Sequence, residues 1–278
     1  MNGNKLVSIV IPTRNSSRFL ENCLKSIKKQ TYKHIETLIV DGKSTDMTIS
    51  IAKKYNVSIL TYVPRVPVGT FDAPHKRNYG MGRAKGIYVY YVDADMELSK
   101  SVVEEAVAAC EKGSDAVIIA EDSFGIGPWA RAKNLERRCY WGDDTVEAPR
   151  FFKKSVWKRL GGLDENLGGG GEDWDFYQKL KDSKYKTVRI KSLVRHNEGD
   201  LKLKSLLKKR FMYGRDTLRY ISKRPKAGTV SYFPIRKSYL NNWKSFLMRP
   251  KDTIFFLIMR TSEYGAGFSG MIYSLLKR

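Results

Sequence analysis

Along the first 200 positions, short continuous apolar runs alternate with stretches in which apolar residues recur every three or four places. Leu6 to Ile11 is a β-branched apolar run closed by Pro12, which reads as a strand buried on both faces. Phe19, Leu20, Cys23, Leu24 and Ile27 then share one helical face ahead of Gln30, with Ser16 or Ser17 as the candidate cap. Glu36 to Val40 reads as a second strand ending in Asp41 and Gly42, Ser44 or Thr45 as the cap of a helix through Lys54, and Val57 to Val63 as a third strand. Pro74 opens a helix to about Ala84, and Ile87 to Val92 is a strand running into Asp93-Ala94-Asp95. Ser101 to Lys112 is a helix stopped by Gly113, and Ala116 to Ala120 and Val188 to Val194 are further strands. This alternation predicts an α/β fold, a mostly parallel sheet flanked by helices.

In such sheets ligands bind beyond the carboxyl ends of the strands. Pro12 to Asn15, Asp41 and Asp93 to Asp95 all occupy strand ends of that kind, so three separated segments are expected to meet at one crevice. If the chain stays extended through Asp93-Ala94-Asp95, both carboxylates face the same side and offer hard oxygen ligands to Mn²⁺ or Mg²⁺, ions that commonly bridge to substrate phosphates. An isolated pair of this type equally serves to cap the following turn.

Beyond residue 200 the pattern changes. Leu203, Leu206, Leu207, Phe211 and Leu218 recur near helical spacing with Lys204, Lys208, Lys209, Arg215 and Arg219 between them, and Trp243, Phe246 and Leu247 precede a break at Pro250. Of 51 Lys and Arg, 18 lie from residue 201 onward, against 3 of 29 Asp and Glu, so this part carries +15 of the net +22. The expected organisation is a catalytic domain over residues 1–200 and a basic amphipathic helical region over 201–278. Basic heads with Trp, Tyr and Leu suit an anionic membrane face, and the uncharged run Tyr264 to Leu276, 13 residues with three glycines, is shorter than the ~20 apolar residues a spanning helix needs. A peripheral or monotopic position at the cytoplasmic face of the membrane is therefore expected. The N-terminus reads as a first strand rather than a cleaved leader. Three separated cysteines, Cys23, Cys110 and Cys139, predict neither a disulfide framework nor a zinc site.

Four segments, VSIVIPTRNSSRFLENCLKSIKKQT, LIVDGKSTDMT, KRNYGMGRAKGIYVYYVDADM and GGLDENLGGGGEDWDF, together resemble the family 2 nucleotide-sugar glycosyltransferases, in the family's order and over roughly residues 5 to 198. The resemblance implies a GT-A type, Rossmann-like fold and a UDP- or GDP-sugar donor held with Mn²⁺ or Mg²⁺. It assigns Pro12, Thr13, Asn15 and Asp41 to base and ribose, Arg77 and Asn78 to the nucleotide, Asp93 to ribose or metal-bound phosphate, and Asp95 to the metal as principal ligand. It makes Asp173 the catalytic base of an inverting transfer, with Glu172 as positioner or alternative base. It also puts His196 near the metal or diphosphate, where a structural histidine is the competing reading. The chain departs from the family's D-D-G-S at Asp41-Gly42-Lys43-Ser44, one acidic residue short on the side that reads the base.

The chemistry calls for such a layout independently of the family. Breaking the anomeric bond to a nucleoside diphosphate builds negative charge on the leaving phosphate, which a divalent cation and basic groups stabilise. A carboxylate on the opposite side of the sugar removes the proton of an attacking hydroxyl, although a helix N-terminus favours the ionised form and makes Asp173 a weak base. The basic tail suggests a lipid-linked glycan or polyprenyl phosphate as acceptor; the acid pair favours a hydroxyl, because a phosphate nucleophile needs no base. Trp129, Trp141 and Trp174 are candidate acceptor-stacking groups, and Gly168 to Gly171 a candidate loop over the donor. A nucleic-acid-binding protein would suit the pI of about 9.8, but no zinc spacing, paired aromatic strand motif or GXXG-type clamp fits. A nucleotidyltransferase would carry a glycine-rich phosphate loop where Pro12-Thr13-Arg14-Asn15 stands.

Overall fold

The computed structural model describes residues 5–63, 71–169 and 171–277. Numbered in chain order, its elements are β1 (Val7–Thr13), α1 (Ser17–Lys28), β2 (Ile35–Asp41), α2 (Thr48–Lys54), β3 (Ser58–Thr61), α3 (Ala73–Arg83), β4 (Tyr88–Tyr91), β5 (Met96–Leu98), α4 (Val102–Glu111), β6 (Ala116–Ile118), β7 (Glu121–Ile126), α5 (Gly127–Cys139), β8 (Phe151–Lys153), α6 (Lys154–Arg159), α7 (Gly171–Asp182), β9 (Thr187–Arg189), β10 (Val194–Asp200), α8 (Leu203–Lys223), α9 (Pro225–Tyr232), α10 (Lys237–Asn241), α11 (Trp243–Met248) and α12 (Pro250–Leu276). They form two compact units, one of residues 1–120, 148–165 and 176–195, the other of residues 121–147, 166–175 and 196–278.

The first unit is built on a seven-stranded sheet of order β3-β2-β1-β4-β8-β6-β9. It is parallel except at β8, which runs antiparallel to both β4 and β6. Alternation along each strand divides the core in two. Val7, Ile9 and Ile11 of β1 with Tyr88 and Tyr90 of β4 pack under the apolar faces of α1 and α4, through Leu20, Leu24, Val103 and Ala106. Val10, Val89 and Tyr91 face the other way, onto Met81, Trp157, Phe176 and Leu180. Gly80 of α3 lies so close to the sheet that a Cβ there would collide with Val10.

Three local expectations change. The helix expected after Ser44 or Thr45 begins only at Thr48, because Ser44 and Thr45 spend their polar groups on Asp41 and Asn15. Asp93 to Asp95 is a turn, not extended chain, with the Met96 amide donating to the Asp93 carbonyl at 3.0 Å. The run expected as one strand from Val188 to Val194 divides into β9 and the start of β10; between them the Lys191 and Ser192 amides each donate to Glu105 at 3.0 Å.

The second unit contains β7 beside β10 and a helical core in which Ala132 and Leu135 of α5 meet Leu206 of α8 and Phe256 and Met259 of α12. α8 and α12 cross at glycines: a Cβ on Gly214 would overlap the Gly267 carbonyl, and one on Gly270 the Phe211 carbonyl. Along α8 the fully buried positions are Leu206, Gly214, Thr217 and Tyr220, while Leu203, Leu207, Phe211 and Leu218 are half-buried. α12 continues through Arg260 and Glu263, both buried. Among the described residues no helix is long and apolar enough to cross a membrane.

Candidate active site

In the first unit the parallel register sets Thr13, the last residue of β1, beside Asp41, the last of β2. The buried Thr13 hydroxyl donates to Asp41 Oδ1 at 2.9 Å. Asp41 also accepts from the Ser44 amide at 2.8 Å and the Ser44 hydroxyl at 2.5 Å. Asn15 takes a left-handed φ of 51°, which asparagine tolerates better than most residues. Its side-chain oxygen accepts the Thr45 backbone amide at 2.8 Å and its backbone N–H donates to the Ser44 hydroxyl at 2.8 Å. Thr13, Asn15 and Asp41 are therefore joined through Ser44 and Thr45 into one hydrogen-bonded rim at the ends of β1 and β2, with Pro12 directly before it in β1.

Consecutive residues of α3 link this rim to the third strand end. The buried Lys76 Nζ donates to the Thr13 carbonyl at 3.2 Å and pairs with Asp72 at 2.9 Å. Arg77 reaches Asp93 Oδ1 at 2.8 Å, and Arg150 reaches Asp93 Oδ2 at 3.0 Å. Both guanidinium groups lie near the Tyr91 ring, at 4.5 and 5.5 Å from its centroid. Lys76 and Arg150 have no place in the sequence reading. Lys76 shows as one basic residue among several, and Arg150 stands 57 positions from Asp93 without a local signature. Asn78 turns elsewhere: its amide donates to the Leu163 carbonyl at 2.8 Å and accepts the Leu163 amide at 3.0 Å, pinning the loop that follows α6. Asp95 is half-buried on the same turn as Asp93. Burial, with Asp95 and Asp93 adding negative field, drives the neighbouring Cys23 thiol above its ordinary range.

Asp93 has a cation on each carboxylate oxygen, and Asp95 adds a second carboxylate to the same turn. Among the described residues no three His, Cys, Asp or Glu side chains stand together as a metal-binding group. Mn²⁺ and Mg²⁺ do not require one, since Mg²⁺ in particular is usually held by one or two carboxylates and completed by substrate phosphates and water. The donor set at this turn fits an ion of that kind.

In the second unit Glu172 and Asp173 open α7, 4% and 9% exposed. Trp174 donates from Nε1 to the Val146 carbonyl at 2.9 Å and packs against Tyr220 and Tyr232. Asp175, fully buried, pairs with Lys223 at 2.8 Å and Arg224 at 2.9 Å, tying the first turn of α7 to the end of α8. Gly169 has a φ of 69° and lies against the Tyr213 ring, where no side chain fits; Gly170, part of the expected loop, is outside the described residues. His196 is in β10, with Nδ1 3.2 Å from Arg137 and 3.5 Å from Glu121. Arg137 also pairs with Glu121 and with Glu198, so the histidine belongs to a salt-bridge network of its own unit. Trp141 donates to the Glu121 carbonyl at 2.7 Å, and Trp129 packs edge-on against Phe255.

An α/β sheet with polar residues gathered at the carboxyl ends of β1, β2 and β4 is the architecture of the GT-A glycosyltransferase fold. The chain belongs to glycosyl transferase family 2, whose family model matches residues 8–165. It is 36% identical over 181 residues to a PGL/p-HBAD biosynthesis glycosyltransferase of Mycobacterium bovis, covering 62% of this chain and 68% of that protein. It is 30% identical over 115 residues to the poly(ribitol-phosphate) beta-N-acetylglucosaminyltransferase TarS of Staphylococcus aureus. That match covers 40% of this chain and spans only 20% of the relative's length. Among solved structures, the mannosyltransferase PcManGT of Pyrobaculum calidifontis, in complex with GDP-Man and Mn²⁺, superimposes with a TM-score of 0.66 at 16% identity over 100% of this chain and 89% of that one. TarS 1–349 with UDP-GlcNAc follows at 0.54 and 17% over 98% and 92%.

Proposed function

We propose that the chain transfers a sugar, with inversion, from a UDP- or GDP-sugar to a hydroxyl of a lipid-linked acceptor at an anionic membrane surface. The observation that carries the reading is the joining of the three strand ends of the first unit. Thr13 and Asp41 are bonded to each other, Lys76 holds the first strand end, and Arg77 and Arg150 hold Asp93. On this reading Pro12, Thr13, Asn15 and Asp41 hold base and ribose, while Asn78 acts as a positioning residue by fixing the loop at Leu163. Asp93 orients Arg77 and Arg150, which supply a positive field where the diphosphate leaves. Asp95 would hold Mn²⁺ or Mg²⁺, which when bound neutralises charge developing on the departing diphosphate. Asp173 takes the proton of the acceptor hydroxyl, and Glu172, one residue before it on the same helix turn, positions it or substitutes for it. His196, engaged with Arg137, is given a structural role.

The lipid-linked acceptor is supported by the surface of the second unit. Val230, Phe233, Ile235, Leu240, Trp243, Leu247 and Met248 are exposed there, interleaved with Lys237, Lys244 and Arg249, a combination suited to headgroup depth.

The test is a panel of UDP- and GDP-sugars with Mn²⁺ or Mg²⁺, scored for donor hydrolysis and transfer. Asp95→Asn is expected to lower turnover about 10²-fold or more. Asp173→Asn is expected to lower transfer about 10²–10⁴-fold while leaving donor affinity within twofold. Wild-type turnover in Asp95→Asn would remove the metal assignment, and full transfer to a hydroxyl acceptor by Asp173→Asn would remove the base.

A further inference from the structure

The second unit contains two cavities for which donor binding has no use. One, of about 320 Å³, is bounded by α8, α9 and α12 with Trp174, Tyr213, Tyr232 and Phe268 in its lining. The other, of about 640 Å³, is lined by Trp141, Asp143, Phe233 and Ile235 among others. Arg236 is a wall residue of both. Volumes of this order accommodate a small organic ligand.

Arg236 is only 8% exposed. Its Nη2 donates to the Ser231 carbonyl, and its guanidinium lies 5.6 Å from the centre of the Tyr140 ring. Among the described residues, Nε and Nη1 of this side chain are buried with no hydrogen-bond partner. The carboxylate whose field it reaches, Asp143, accepts the Thr145 amide at 2.9 Å and hydroxyl at 2.6 Å on Oδ1, and makes no hydrogen bond to Arg236. Arg210, Arg260 and Glu263, in the wall of the smaller cavity, are ion-paired among themselves and with Glu136. A guanidinium keeps its charge at any ordinary pH, and burying it with two donor nitrogens unmatched is costly unless something in the cavity accepts from them.

We propose that Arg236 seats the oxyanion of a phosphate monoester whose apolar body lies in the smaller cavity against Trp174, Tyr232 and Phe268. Nε and Nη1 require more than one acceptor oxygen, and a phosphate monoester offers three with a charge near −2. The aromatic lining supplies the apolar contact that a free phosphate does not use. Taken with the function proposed above, the ligand is the acceptor, held by its phosphate as an anchor while a separate hydroxyl reacts; Trp174 of the cavity wall is the next residue after Asp173 on α7. The identification as acceptor rests on that function, whereas the anion seat does not.

The experiment is calorimetric titration of the full chain with octyl phosphate below its micelle-forming concentration, in parallel with inorganic phosphate, octanoate and octanol. Octyl phosphate is expected to bind saturably, at least tenfold tighter than the other three, and to alter tryptophan fluorescence. Arg236→Gln is expected to weaken it tenfold or more and Arg236→Lys by less, with thermal melting as the check on folding; should Arg236→Gln not fold, Arg236→Lys carries the comparison. Wild-type affinity in folded variants would overturn the proposal. Octanol or inorganic phosphate binding as tightly as octyl phosphate would overturn the phosphate or the apolar-body part, and equal octanoate binding would overturn the choice of phosphate. Donor hydrolysis by wild-type protein separates the two readings. Hydrolysis without octyl phosphate binding sinks this inference alone; octyl phosphate binding without hydrolysis sinks the donor reading alone.

Discussion

Glu136 and Glu263 are buried carboxylates in the helical core of the second unit. Glu136 lies 3.0 Å from Arg260 and 2.6 Å from Lys133, and Glu263 lies 2.7 Å from Arg260 and 3.1 Å from Arg210. Burial pushes both toward the neutral form. Against it, Arg260, Lys133 and Arg210 hold Glu136 well below its ordinary value of 4.5, and Lys133 with Arg210 leads the same reversal at Glu263. Both folded values being depressed, the unfolded chain binds protons more readily on the acid side. Their contribution to stability is complete above about pH 4.5 and drains away as the pH falls through the lower folded values. Thermal melting should therefore be nearly constant from pH 7 to 5 and decline steeply below 4.5. Glu263→Gln, which leaves Arg210 and Arg260 short of a counter-charge, should cost about 3–5 kcal/mol at neutral pH and flatten the acid decline. Parallel acid slopes in the two proteins would contradict this. In the sequence Arg260 and Glu263 read only as interruptions between apolar runs and Glu136 carries no signal, because a buried charge is intelligible only beside its partner, and Glu136 lies more than 100 positions from Arg260. Thr13 and Asp41 were legible as strand-end positions for the opposite reason: an apolar run leads up to each.

At the scale of elements, α8 and α12 meet backbone to backbone. Gly214→Ala and Gly270→Ala place a methyl group into a facing carbonyl, and since backbone cannot step aside as a side chain does, each should lower stability by about 1–3 kcal/mol. Gly265, on the same helix but with open space around its Cα, is the control. There alanine should stabilise by roughly 0.5–1 kcal/mol, through the backbone entropy that glycine loses in a helix. Denaturant titrations of the three variants check the contrast, and a loss at Gly265 equal to that at Gly214 would deny the close crossing. The glycines in Tyr264 to Leu276 are visible in the sequence, but which of them faces another helix depends on a partner about 50 positions earlier. Long runs announced their elements, as with β1, α1 and α4. The three-residue strands β8 and β9 are too short to show a period. α5 buries Glu136 on the same face as Leu135 and Cys139, which breaks the apolar pattern that would have marked it. Whether Asp93 to Asp95 continues extended or turns is open in the sequence, because nothing in an apolar strand followed by Asp-Ala-Asp states where pairing stops; the structure makes it a turn.

At the scale of the whole molecule, the net charge of +22 and the exposed apolar residues of the second unit make separable claims about a membrane surface. Charge attraction contributes about 1 kcal/mol per basic residue near an anionic bilayer and decays over a Debye length of about 8 Å at physiological salt. Apolar insertion is insensitive to salt. Removing residues 201–278 would not separate the two, since Leu206, Phe256 and Met259 complete the core around Ala132 and Leu135; substitutions at exposed positions do. In sedimentation with vesicles containing 30% anionic lipid, the intact protein should pellet strongly at 0.1 M salt and retain a fraction at 0.5 M. Charge reversal at Lys237, Lys244 and Lys251 together should abolish most of the low-salt binding, by tenfold or more on the scale just given. Trp243→Ser with Leu247→Ser should remove the salt-resistant fraction, leaving thermal melting unchanged because both side chains are more than half exposed. If neither set alters pelleting, or if neutral vesicles bind equally, the basic surface has another purpose and the lipid-linked acceptor loses its support, while the donor site proposed for the first unit is unaffected.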